Sequence, residues 1–331
     1  MNARSLPPTF AWLEITGFCN LKCRHCYADS SPQGGHGDMT DADWFRVVDE
    51  LNELGVRDVQ FIGGEPTFHP GLPTFIRHAR ERAMRVEVFS NMTHISPEVW
   101  DALQLPGVRV AFSYYSDIPG DHEDVTEGRG SHARTRANIA RAQELGIEMR
   151  GSVINVLEGQ RADYAEHELS RLGIRDVRTD AIRPYGRGAQ GTAPSINRLC
   201  GRCGRRKFAI SPTGEVWPCV FARWISLGNV HTQSLAEIYD GDAMRRTRSV
   251  LEEAFPHTRP RAQGCPPDMC LPNCNPSFET CSPQLACAPD AACNPTEDSP
   301  AGQGRAVVRP GRMSPRRSVR YRDPGISDTD C

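Results

Sequence analysis

A chain of 331 residues with a formal net charge of −2 has room for one large domain and a smaller one, and no bulk charge to draw it to nucleic acid or an anionic membrane surface. Its N-terminal stretch MNARSLPPTFAWLEITGF lacks an apolar run of signal-peptide length, and no segment approaches the roughly 18 apolar residues of a membrane span. The expected setting is the cytoplasm, where the 13 cysteines stay reduced and serve as metal ligands or catalysts more readily than as disulfides.

In chain order, strand-like and helix-like segments alternate over residues 1–185. AWLEITG (11–17) reads as the first strand and DADWFRVVDELNELG (41–55) as the first helix. DVQFIGG (58–64), PTFIRHARERA (73–83), RVEVFSN (85–91) and PEVWDALQL (97–105) continue the alternation. VRVAFSYY (108–115), HARTRANIARAQELG (132–146), IEMRGSVIN (147–155), DYAEHELSRLG (163–173) and IRDVRTDAIR (174–183) complete it. Thr40 with Asp43 suits an N-terminal cap, Ser96-Pro97 suits an N-cap followed by Pro at the first helical position, and Gly55, Gly146 and Gly173 stand where helices stop. Such β/α units imply a parallel sheet, either curved into a barrel or left open and doubly wound. In both cases the active site lies at the C-terminal strand ends.

From residue 186 the texture changes. Residues 186–295 are rich in Cys, Pro and Gly and read as a second, small domain. SPTGEVWPC (211–219) reads as a hairpin around Thr213-Gly214, and SLAEIYDGDAMRRTRSVLEEA (234–254) as helix. Beyond Cys265 there is too little apolar sequence for a core, so a covalent or metal staple is required. Residues 296–331 read as a disordered basic tail, with Cys331 an unligated thiol.

CNLKCRHC (19–26) places Cys19, Cys23 and Cys26 directly after the first strand. Soft thiolates select zinc, copper(I) or iron–sulfur clusters. Three thiolates on a 4Fe–4S cube leave one iron open to a chelating molecule, whereas a structural zinc site closes with a fourth protein ligand, such as His25 or His36. GGEP (63–66) follows the second strand and falls on the same rim.

CNLKCRHC resembles the C-x3-C-x-Φ-C cluster motif of radical S-adenosylmethionine (radical SAM) enzymes, with His25 at the usually aromatic Φ position. GGEP is similar to the family's SAM-amine motif. SYYSDIPGDHEDVTEGRGSHARTRANI (113–139) and RPYGRG (183–188) are similar to segments after the fourth and sixth strands. The resemblance implies a partial (β/α)6 TIM-like barrel. It also implies that Cys19, Cys23 and Cys26 hold a 4Fe–4S cluster whose fourth iron binds SAM. One-electron cleavage then yields methionine and a 5′-deoxyadenosyl radical that abstracts hydrogen from the substrate. A low-potential donor such as a ferredoxin or flavodoxin would supply the electron.

Within that resemblance, Gly63 and Gly64 suit close backbone approach to SAM. Glu65 is either a rim carboxylate facing the SAM ammonium or a surface carboxylate. Ser90-Asn91 and Ser113 are candidate ribose contacts. Arg183 is either a carboxylate ligand or one half of a salt bridge. Asp117 and Asp180 are candidate proton-removing groups or loop-ordering ones.

CGRCGRRKFAISPTGEVWPC (200–219) and WISLGNVHTQSLAEIYDGD (224–242) resemble a SPASM auxiliary-cluster domain. Its leading motif is met by Cys203, Gly214 and Cys219, and also from Cys200. Cys265, Cys270, Cys274, Cys281, Cys287 and Cys293, at gaps of four, three, six, five and five residues, depart from the family spacing. Their number still suffices for two auxiliary 4Fe–4S clusters, or for one with a zinc site. The resemblance implies oxidative modification or cross-linking of a ribosomally made peptide. The alternative is tailoring of a small-molecule antibiotic precursor, a sugar or nucleoside.

Overall fold

The computed structural model describes residues 6–256. Cys265, Cys270, Cys274, Cys281, Cys287, Cys293, Cys331 and the expected tail lie outside the described residues. All six predicted strands are present: β1 (Phe10–Glu14), β2 (Asp58–Ile62), β3 (Arg85–Ser90), β4 (Val108–Tyr114), β5 (Glu148–Asn155) and β6 (Asp176–Ala181). They are parallel and lie side by side in chain order. A doubly wound sheet reverses its order midway, and this one does not, so the open alternative is excluded in favour of an incomplete barrel.

The connecting helices are α1 (Asp41–Glu53), α2 (Leu72–Glu81), α3 (Pro97–Leu103), α4 (Pro119–Thr126), α5 (Ser131–Glu144) and α6 (Ala162–Arg171). Helix α1 starts at a capping box: the Asp43 amide donates to Thr40 Oγ1 (3.2 Å) and the Thr40 amide to Asp43 Oδ2 (3.0 Å). Ser96 caps α3 from the position before its Pro. Gly55, Gly146 and Gly173 take positive φ just past helix ends, where any side chain would be strained. Helix α4 was not anticipated. Its sequence PGDHEDVT has little apolar periodicity, and it is fixed instead by burying His122 and Val125.

Alternation along the strands divides the sheet into two chemically different faces. Ala11, Leu13, Val59, Phe61, Val86, Val88, Val110 and Phe112 share the outer face and form one core with Trp44, Leu51, Phe75, Trp100, Ile139 and Leu169 from the helices. Each such large side chain contributes about 1.5–3 kcal/mol by leaving water. The inner face carries Trp12, Gln60, Glu87 and Arg109 in one registered row. Arg150 lies one row further along, opposite Ala111.

The inner charges neutralise one another near the strands' N-terminal ends. Glu87, 1% exposed, pairs with Arg109 (2.7 Å) and Arg150 (2.8 Å) and accepts from Gln60. Asp58 accepts from Arg85 (2.7 Å).

The sheet continues past residue 185. β7 (Lys207–Ile210) pairs parallel with β1, and β8 (Glu215–Trp217) and β9 (Gly228–Asn229) follow antiparallel, giving a sheet of nine strands among the described residues. The expected hairpin is the β7–β8 pair, turning at Gly214 with φ 75°. The expected helix over 234–254 is two helices, α7 (Leu235–Tyr239) and α8 (Asp242–Ala254), separated at Asp240-Gly241, where Gly241 is extended. Among the described residues no helix is long and apolar enough to cross a membrane.

Burial alone would raise the pKa of Glu87, but Arg150, then Arg109 and Gln60, hold it below the ordinary carboxylate value. A depressed folded pKa contributes stability above the unfolded value, and that contribution is lost as pH falls through the folded one. Glu87→Gln leaves two half-buried arginines short of a buried counter-charge and should cost about 3 kcal/mol at neutral pH. Urea unfolding should show this gap narrowing as pH drops below the carboxylate range. Equal stabilities at neutral pH would dismiss the network as a stabilising feature.

Candidate active site

The polypeptide leaving β1 folds back on itself before α1. The amides of Gly17 and Phe18 donate to Gly35 O (2.8 and 3.1 Å), and that of Cys19 to Ser31 O (3.1 Å). Its middle is held from elsewhere, with the Lys22 and Arg24 amides donating to Thr126 O and Val125 O at the end of α4. The three thiols Cys19, Cys23 and Cys26 all project from this loop.

Cys19 is buried, and its sulfur accepts from the Leu21 amide (3.4 Å) and from Asn91 Nδ2 (3.8 Å). Burial, and then the Glu65 charge, push the Cys19 thiol up to about 12. Burial, then Cys19 and Cys26, push Cys23 higher still. Thiols crowded together away from water stay protonated unless a cationic centre takes the protons' place. Iron does this, and N–H groups aimed at sulfur are the usual support of a bound cluster. Among the described residues no three His, Cys, Asp or Glu side chains are arranged to hold a single metal ion.

GGEP packs directly on this loop. The Gly64 amide donates to Thr16 O and the Glu65 amide to Phe18 O, both at 2.7 Å. A Cβ on Gly64 would stand 2.1 Å from Phe18 O, and one on Gly63, at φ 152°, 2.4 Å from Thr16 O. The two glycines therefore let the β1 and β2 exits run in contact.

Glu65 is fully buried, which overturns its reading as a surface carboxylate. It accepts from the Thr67 amide (3.2 Å), Thr67 Oγ1 (2.8 Å), Ser90 Oγ (2.8 Å) and the Asn91 amide (2.6 Å). Burial raises its pKa against these donors. A ligand ammonium at Glu65 would share a carboxylate already supplied with protein donors.

Asn91 is similarly committed. Its Nδ2 donates to Asn20 Oδ1 (2.9 Å) and towards Cys19, while Oδ1 accepts from the Thr93 amide (2.9 Å) and Thr93 Oγ1 (2.6 Å). An amide with both ends engaged faces the cysteine loop rather than open space. Ser90 Oγ is taken up by Glu65 and the Met92 amide. Ser113 remains half-buried on the inner face, opposite Ser152.

The two candidate acids are both ion-paired. Asp117 accepts from Arg161 Nη2 (2.9 Å), and Asp180 from Arg183 Nη2 (2.9 Å). Arg183 also lies 5.5 Å from the Phe221 ring. Of its two readings, the salt bridge is the one present.

The second cysteine field approaches from β7 and β8. Cys203 and Cys219 are fully buried with their sulfurs 2.8 Å apart. Cys200 is also buried, three residues before Cys203. Of the two cysteines that meet the leading motif, Cys203 is the one whose sulfur adjoins that of Cys219.

Aromatic rings span the space between the two fields. Tyr27, next to Cys26, meets Phe221 edge-on at 5.1 Å, and Phe221 stacks on Tyr185 at 5.6 Å. Beneath them Arg223 pairs with the buried Glu14 of β1 and lies 4.2 Å from the Trp217 ring.

Sequence reasoning missed three functional groups. Glu14 and Arg223 carry no motif, and only the fold brings them together. Arg187 lies within RPYGRG, four residues after the candidate Arg183. Arg187 Nε donates to Cys23 O (2.8 Å), its amide to Cys26 O (2.9 Å), Nη2 to Ser30 O (2.7 Å) and Nη1 to Asp29 (2.7 Å). The signal available was the pair of glycines flanking it.

A parallel β/α arc with a three-cysteine loop after its first strand and a second cysteine field on the adjoining hairpin defines a class of cluster-dependent enzyme. Residues 13–172 match the Radical SAM superfamily, and residues 200–275 match SPASM, an iron-sulfur cluster-binding domain. A PqqA peptide cyclase of Xanthomonas campestris pv. campestris (strain 8004) is 26% identical over 382 residues, covering 98% of this chain and 99% of the relative. The antilisterial bacteriocin subtilosin biosynthesis protein AlbA of Bacillus subtilis (strain 168) is 24% identical over 301 residues. That match covers 80% of this chain and 65% of AlbA. Streptococcus suis SuiB bound to precursor peptide SuiA shares the fold, with a TM-score of 0.63 at 14% identity over 73% of this chain and 67% of that one. The chain belongs to the radical SAM superfamily and carries a SPASM domain, and is thus an enzyme of a 4Fe–4S cluster, S-adenosylmethionine and auxiliary clusters.

Gly64→Ala should separate the GGEP turn from the cysteine loop, since the clash at Phe18 O is with backbone and cannot be relieved by rotating a side chain. We expect iron retention at the first site to fall and SAM affinity to drop at least tenfold, about 1.4 kcal/mol. Equilibrium binding to the reconstituted variant measures this, and wild-type affinity would show that the close packing is incidental to the site.

Proposed function

We propose that this radical SAM enzyme oxidatively modifies or cross-links a ribosomally synthesised peptide in the cytoplasm. The observation that carries the reading is the placement of two cysteine fields on neighbouring parts of one sheet, with β7 paired to β1 and Tyr27 meeting Phe221 between them. A relative matching nearly the whole chain is a peptide cyclase, and a structural neighbour was captured with a precursor peptide.

Cys19, Cys23 and Cys26 would hold the SAM cluster, with Gly63, Gly64 and Glu65 beside it. Cys200, Cys203 and Cys219, and the cysteines from 265 to 293, would supply the thiolates of the auxiliary sites. When bound, the first cluster supplies one-electron cleavage of SAM and the auxiliary clusters supply an acceptor for the substrate's electron. The chain's own part is enclosure. Trp12, Ile62 and Phe89 line the inner face with Tyr27, Tyr185 and Phe221, a wall that excludes water from a reactive centre. The Glu14–Arg223 pair fixes the turn after Cys219 against β1. Asp117 and Asp180, each paired with an arginine, are the candidate proton acceptors. A low-potential iron–sulfur or flavin protein would provide the electron.

Co-expression with short peptides encoded beside the gene, followed by mass spectrometry, tests the substrate class. A net loss of hydrogen from one peptide is expected, and a modified small molecule with untouched peptides would overturn the peptide reading.

Replacing Cys19, Cys23 and Cys26 together with alanine should abolish 5′-deoxyadenosine formation while leaving iron at the auxiliary sites. Wild-type iron is expected near about twelve per chain for three cubes, each held by up to four protein thiolates. Continued 5′-deoxyadenosine production by the triple variant would remove the first cluster from this loop. Iron near about four per chain in the wild type would reject the auxiliary sites.

A further inference from the structure

Residues 185–188 lie as a strap across the cysteine loop. Gly186, at φ 54°, leaves no room for a side chain: a Cβ there would stand 2.3 Å from Cys26 O and 2.5 Å from Tyr27 O. A Cβ on Gly188 would be 3.0 Å from His25 O. Between the two glycines, Arg187 spends three of its guanidinium directions on Cys23 O, Ser30 O and the Asp29 carboxylate, and its amide on Cys26 O. The side chain is one-fifth exposed while Asp29 is 71% exposed, so the arginine's charge faces the loop and its counter-ion faces water.

We infer that Arg187 is the positioning residue of the cluster loop, clamping residues 23–30 and holding a fixed positive charge beside Cys23. The inference rests on the reading that Cys19, Cys23 and Cys26 bind the cluster. A rigid planar fork engaging two backbone carbonyls fixes the loop in a way a lysine cannot, because its ammonium is a point charge on a flexible stem. The charge acts on the cluster's electronics as well. One electron accepted from a low-potential donor protein adds one negative charge to the cube, and a nearby cation stabilises that reduced state. Net charge around a cluster is among the factors that set its potential. The other charged pair on this loop, Arg24 with Glu127, is loose at 3.7 Å and about half exposed on both sides. Water screens it far more than it screens Arg187.

The test is a redox titration of the full, anaerobically reconstituted chain with dithionite, followed by electron paramagnetic resonance. The signal that changes on adding SAM identifies the first cluster. Arg187→Met should move its midpoint to more negative potential, and Arg187→Lys, which keeps the charge but not the fork, should lie between Met and wild type. Asp29→Asn removes the exposed counter-charge at a left-handed position (φ 55°) that Asn tolerates, and should move the midpoint the opposite way. An Arg187→Met chain that fails to retain iron at this site supports the clamp, and Asp29→Asn then decides the charge. Wild-type midpoints in both Arg187→Met and Asp29→Asn would overturn the inference while leaving the cluster assignment intact. A wild-type enzyme with no SAM-responsive signal would instead overturn the functional reading, and this inference with it.

Discussion

The exits of three parallel strands meet at Glu65, whose buried carboxylate accepts hydrogen bonds from Thr67 and Ser90 and from the backbone at Asn91, while its own amide donates to Phe18 O. Hydrogen bonds to a charged acceptor contribute about 1.5–3 kcal/mol each, and a buried carboxylate left short of donors would cost more than that. The loops after β1, β2 and β3 therefore keep one relative position or lose this group's satisfaction. Cys19 inherits its place from the arrangement, since Asn91 reaches it only because the Asn91 backbone is tied to Glu65. A site that must hold a cluster, a chelating cofactor and a substrate within reach of one another needs this sort of preorganisation, and here it is built into the strand ends.

The division of the sheet into an apolar outer face and a charged inner one explains how one scaffold provides both stability and a reaction chamber. On the outer face, packing against helices makes the strands' hydrophobic alternation continuous from Ala11 to Val153. On the inner face, Glu87 with Arg109 and Arg150, and Asp58 with Arg85, are neutralised toward the N-terminal end, while aromatic rings gather toward the C-terminal end where the cysteines stand. A buried charge network is weak as a source of stability but effective at selecting one register, because a slip of one residue would carry these charges into the apolar outer layer.

Much of this was legible in the sequence, and the exceptions have physical causes. The strands and most helices could be read because their periodicity records which face is buried. The three-thiol spacing and GGEP could be read because each serves a site through contiguous residues. Glu65 was harder: nothing in GGEP reveals that Ser90 and Asn91 converge on it, so burial could not be foreseen. The same applies to Glu14 and Arg223, separated by 209 residues. Spacing alone left Cys200 and Cys203 equivalent, and only the β7–β8 hairpin distinguishes the one beside Cys219. Helix α4 lacked periodicity because it is short and leans on His122 and Val125 rather than on a stripe.

The pairing of β1 with β7 has a consequence for how the chain is made. β1 leaves the ribosome before β2 to β9, yet one of its two edges waits for residues 207–210, about two hundred positions later. At translation rates of about 5–20 residues per second, that edge stays open for some ten to forty seconds. Through that interval the nascent protein carries an unpaired strand edge beside three free thiols, the combination most exposed to mispairing and to oxidation. Iron–sulfur assembly and chaperone access during synthesis, more than the stability of the finished fold, then govern how much active enzyme a cell obtains. Heterologous yield should respond to slowed translation and to cluster-assembly capacity before it responds to stabilising substitutions in the core.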